Sequence, residues 1–145
     1  MASSIPKAHR KEITDAYVTD NLYVALFTSG GWVYDATNAG HNTYANIVAA
    51  GCVEVSDAGT NYVTGGYALA GEASSYVGAT NVAILTANAT AVAAATFTCR
   101  YAVIYETNTA NQKIRAVIDL GGDKTVTSGT MTITWDGTNG IIKCS

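Results

Sequence analysis

The sequence predicts an all-β protein, an antiparallel β-sandwich of jelly-roll-like type behind an N-terminal arm, and two observations carry the prediction. Alternating side chains recur from residue 20 onward, and glycine-bearing pairs interrupt them at short intervals. A period of two puts alternate side chains on opposite faces of a sheet. Many short strands separated by glycine turns fit a sandwich or barrel. Residues 1–19 are expected to form the arm and residues 20–145 the sandwich domain.

Pro6, the sole proline, biases Ile5 toward extended backbone, so residues 1–6 read as extended. From Lys7 to Thr19, Ala8, Ile13, Ala16 and Tyr17 match a helical face only loosely, which leaves a short helix and a coil both open. In "NLYVALFT", Leu22, Val24 and Leu26 share one face, and Tyr23, Ala25 and Phe27 the other. "ATFTCRYAVIYET" alternates in the same way. Strands that are apolar on both faces belong inside a sandwich or at a subunit contact. "KIRAVIDLG" and "TMTITW" supply two further runs, the second with Met131, Ile133 and Trp135 opposite Thr130, Thr132 and Thr134. The alanine-rich "TANATAVAAATFT" has helical propensity, but its Thr and Val residues and its place between strand patterns predict an extended segment. Gly30-Gly31, Gly65-Gly66, Gly121-Gly122, Ser128-Gly129, Asp136-Gly137 and Asn139-Gly140 supply the turns. Ser128-Gly129 is the strongest hairpin signal among them.

Residues 54–71, "EVSDAGTNYVTGGYALAG", hold four glycines. A phosphate-binding loop needs a Lys and a Ser or Thr at the start of a helix after its glycines. Tyr67-Ala68-Leu69-Ala70 follows instead, so the stretch reads as a connector. In "GGDKT", Asp123 separates Gly122 from Lys124 and position 117 is Val, not the upstream glycine of a nucleotide loop. His9 and His41 have no cysteine or acid at ligand spacing. Neither a Gly-x-Ser-x-Gly elbow nor a Cys/His pairing is present. No catalytic residue, metal or cofactor is expected.

Low charge, 13% of the 145 residues, bounds the partners. An average soluble chain carries about 25% charged residues, and a surface this poor in charge implies burial against other subunits. Lys7, Arg10 and Lys11 give the first eleven residues a charge of +3, against −6 for the rest. A short basic lead before an acidic body can dock on an acidic surface. A pI of about 5.1 argues against nucleic acid, whose partners are basic. No apolar stretch reaches membrane-spanning length. Cys52, Cys99 and Cys144 lack a CxxC spacing and read as free thiols of a chain folded in a cytoplasm.

Taken in order, "LYVALFTS", "HNTYANI", "VEVS", "TNYVTGGYALAG", "TFTCRYAVIYET", "IRAVIDLGG" and "TMTITWDGTNGII" span residues 20–142. This succession resembles the small virion structural proteins of tailed bacteriophages, most of all the β-sandwich decoration, or cement, proteins of the capsid exterior. The resemblance implies a non-enzymatic homotrimer, assembled in the host cytoplasm, that binds the major capsid protein and bridges neighbouring capsid subunits. Ile5, Lys7, Arg10 and Lys11 are the candidate capsid contacts. The alternative is a tail, neck or fibre component, with Trp32, Tyr34 and Tyr44 of the long loop offered to a glycan or receptor.

Overall fold

The chain is described here by a computed structural model covering residues 6–77, 82–108 and 110–144. Two antiparallel sheets form the sandwich that the period-two runs predict. Helix α1 (Lys7–Val18) leads into strand β1 (Leu22–Phe27). A long loop follows, carrying a 3₁₀ turn (Ala39–His41) and helix α2 (Tyr44–Ala50). Strands β2 (Tyr67–Ala68), β3 (Ala73–Tyr76), β4 (Ala83–Thr86), β5 (Thr90–Glu106), β6 (Ile114–Ile133) and β7 (Ile142–Cys144) complete the chain. One sheet has the order β2-β1-β5-β6 and the other β3-β4-β7.

The two faces of β1 divide as its sequence predicts. Leu22, Val24 and Leu26 join Ala102 and Ile104 of β5 and Leu85 of β4 in the core between the sheets. Ala25 and Phe27 join Val103, Tyr105, Ile47 and Cys52 in a second core on the opposite side. That outer face is covered by the chain's own α2 and the loop around it, so a neighbouring subunit is not needed to bury it. From Lys7 onward the expected arm takes the helical option: α1 packs on β3 and β4, with Thr14 fully buried and its hydroxyl 2.6 Å from that of Ser74. Residues 7–18 are thus part of the packed fold.

β5 and β6 form one long curled ribbon. The alanine-rich run is extended, because Val92, Ala95, Phe97 and Cys99 bury alternate side chains while the backbone pairs with β6; tertiary pairing overrides alanine's helical preference. Two glycine pairs expected as turns lie instead inside β6. Tyr101 pairs with Asp119 and Cys99 with Lys124, so the surplus residues of β6, with Gly121 and Gly122 at φ 76° and 130°, are absorbed as a bulge. Ser128-Gly129 is likewise no hairpin: Phe97 pairs with Val126 and Ala95 with Gly129, and Ser128, at φ 49°, is the extra residue. Bulges bend a strand without ending its ladder, which is why two predicted strands are one.

The Gly65-Gly66 connector returns the chain to β1. Gly66 has φ 79°, and a Cβ there would sit 2.0 Å from the carbonyl oxygen of Val24; the backbone crosses β1 so closely that no side chain fits. Tyr67 then pairs with Val24, and Leu69 is buried. Gly59 shares the left-handed backbone, at φ 73°, but faces open space. Thermal denaturation should therefore separate the two. Gly59→Ala is expected to cost about 1–2 kcal/mol, the backbone penalty alone, and Gly66→Ala clearly more. Equal losses would contradict the close approach.

Candidate functional site

Three of the four candidate contacts, Lys7, Arg10 and Lys11, fall in the first turns of α1. Ile5 and the side chain of Lys7 lie outside the described residues. Arg10 is half-buried, and Lys11 donates to both carboxylate oxygens of Asp15, at 2.6 and 2.8 Å. His9 lies 2.7 Å from Glu12. The Lys11 ammonium holds the Asp15 carboxyl below its ordinary range, aided by a hydrogen bond with Ser74. Glu12 and Asp15 thus offset much of the basic lead within the helix itself.

Pro6 caps α1 without a side-chain bond, and no acid stands in the first turn and no base in the last. Positive side chains at a helix N-terminus oppose the macrodipole, which the i, i+4 pair of Lys11 with Asp15 offsets in part. The far end of α1 is firmly held. Arg115 of β6 donates to Asp20 at 2.9 Å and to Glu106, which is 2% exposed, and its guanidinium lies 4.8 Å from the centre of the Tyr17 ring. The side-chain amide of Asn108 donates to the carbonyl of Thr19 at 2.8 Å. The basic end is presented from a rigid base.

The loop aromatics are arranged differently from the expectation for a glycan face. Trp32 stacks on Tyr101 with centroids 3.9 Å apart and planes 11° from parallel, and meets Phe27 edge-on. Tyr44 stacks on Tyr105 at 4.6 Å, and Tyr34 packs against Trp32 and His41. These rings build the second core over β1 and β5. They are half-buried because the loop folds back over the sheet.

Glu54 ties this layer together. Its carboxylate accepts from the Tyr44 hydroxyl, from the Tyr62 hydroxyl at 2.7 Å and from the Gly65 N–H at 2.8 Å. Tyr62 in turn accepts from the buried N–H of Leu26 at 2.8 Å, and Tyr105 donates to the Gly65 carbonyl at 2.6 Å. Burial, followed by the charge of Glu54, pushes the Tyr105 hydroxyl up to about 12. Burial likewise raises Tyr44 and Tyr62. Sequence reasoning did not single out Glu54. Its signal was present: it closes the run from Ala36 to Val53, which has no Asp, Glu, Lys or Arg.

Cys52 and Cys99 are buried free thiols, and burial pushes Cys99 up to about 11, away from nucleophilic use. Among the described residues no three His, Cys, Asp or Glu side chains gather as metal ligands. Comparison with protein-family models, curated proteins and solved structures yields no match.

The tyrosine network sets an alkaline limit. A phenol whose folded pKa is raised contributes stability that is complete below its unfolded value, near 10, and is lost as pH rises through the folded value. The melting temperature should fall between about pH 10 and 12, less steeply in Tyr105→Phe. At neutral pH, Tyr62→Phe strands the Leu26 N–H and should cost about 1–3 kcal/mol. A flat alkaline profile, or a neutral Tyr62→Phe, would contradict the network.

Proposed function

We propose that this chain is a non-enzymatic capsid decoration protein of a tailed bacteriophage, self-associated on the shell exterior, that strengthens the head by bridging neighbouring subunits of the major capsid protein. The order of its segments, which resembles such proteins across residues 20–142, carries the reading. Three features support it. The two-sheet sandwich belongs to the expected fold class, charge is scarce over the whole chain, and three basic residues gather at the start of the chain, Arg10 and Lys11 of them in the first turns of α1. Such a protein works through buried area across a seam, so that rupture of the shell must also break its contacts. Lys7, Arg10 and Lys11 meet acidic groups of the shell, and Ile5 supplies an apolar anchor. The tail, neck or fibre alternative gains no support from Trp32 and Tyr44, which lay their rings on Tyr101 and Tyr105.

Co-sedimentation with particles assembled without this chain tests the reading. Deleting residues 1–11 would also remove the first turn of α1, so substitution is the cleaner probe. Lys7→Glu with Lys11→Gln improves the match to the helix dipole and should leave the fold intact. It is expected to weaken capsid binding by about tenfold or more, with an effect that shrinks as salt rises. Undiminished binding, or no binding by the unaltered chain, would count against the proposal.

A further inference from the structure

The outer edge of β6 is a long backbone surface that the fold leaves open. β6 pairs with β5 along one side, from Ile114 opposite Tyr105 to Ile133 opposite Thr90. Its other side meets residues 42–44 at Lys113 and Ile114. From Arg115 to Ile133 no second strand adjoins it among the described residues. Such an edge presents N–H and C=O groups in strand register, a template for another extended chain. Proteins commonly blunt the hazard with charge or proline. Residues 125–135 contain neither, and the bulges at Gly121-Gly122 and Ser128 divide the edge without covering it. Beside the edge, the curl of β6 leaves a trough of about 510 Å³ lined by Leu120, Met131 and Ile133 together with Asp123 and Lys124.

We propose that residues 125–135 and this trough form the contact between two copies of the chain, their β6 strands paired antiparallel about a two-fold axis. An extended occupant is what the edge chemistry requires, and β6 of a second copy is an edge of identical length; the side of β5 that β1 does not reach, Thr90–Arg100, is interrupted where the Thr96 N–H donates to the Thr60 carbonyl, and β2, β3 and β7 have two, four and three residues. One two-fold contact covers the β6 edges of both copies at once. Pairing centred on Thr130 opposes no like charges, since residues 125–135 hold no charged side chain. Eleven residues span about 36 Å, a strip of roughly 360 Å² if about 10 Å wide. That is about half of the ~800 Å² per partner that a stable complex buries, so the apolar trough has to be part of the contact.

The inference rests on the self-association in the capsid reading and not on the shell as partner. It makes the copy number even, against the three-fold state that the resemblance implies.

Sedimentation of the full chain decides it. The unaltered protein should run at twice its 15.0 kDa. Thr130→Lys with Thr132→Lys, both at exposed positions, should run as a monomer with unchanged circular dichroism. Amide hydrogen exchange of the unaltered chain gives a readout free of any folding defect: the amides of residues 125–134 should slow as protein concentration rises. A monomer at high concentration, a mass unaffected by the two lysines, or concentration-independent exchange would overturn the proposal. A trimer untouched by the lysines would do so while leaving the capsid reading standing.

Discussion

Leu22, Val24 and Leu26 look toward the second sheet, Ala25 and Phe27 look away from it, and all five are at most 1% exposed. A strand with no polar face requires cover on both sides. On one side the cover is the β3-β4-β7 sheet with α1 seated on it. On the other it is the long loop with α2, which a small domain can hold in place only if the loop's own backbone groups find partners. Glu54 meets that need. By accepting from Tyr44 and Gly65 it fixes the covering layer, and through Tyr62, which is buried in the core between the sheets, it reaches the backbone of β1 itself. The close passage of Gly66 over Val24 belongs to the same constraint.

This internal covering narrows where partners can bind. The outer aromatics are spent on the sheet, and among the described residues two features stand at the margins of the fold: the basic start of α1 and the open edge of β6. An uncharged strand edge invites association. Under the proposed function, one margin would serve the shell and the other the chain's own copies.

Local pattern and distant pairing explain what the sequence made legible. The faces of β1 and the extended state of the alanine-rich run could be read because alternation is a local property. Gly121-Gly122 and Ser128-Gly129 could not be told from turns, because a bulge and a turn both use positive φ. Only the continued ladder to β5 distinguishes them. Trp32 and Tyr44 read as exposed loop residues for the same reason, since their stacking partners Tyr101 and Tyr105 lie 69 and 61 residues away in the chain. The pairing of Lys11 with Asp15 was within reach at i, i+4 spacing. That spacing has meaning only in a helix, and the apolar pattern of residues 7–19 specifies one only loosely.

Native-state hydrogen exchange tests the central claim, that the loop with α2 is a layer of the core rather than an appendage. The N–H of Cys52, bonded to Ile47, and that of Gly65, bonded to Glu54, should open with the same free energy as the amides of β1, as members of one cooperative unit do. Exchange of Cys52 and Gly65 at the rates of an unstructured loop, while β1 stays protected, would contradict the account.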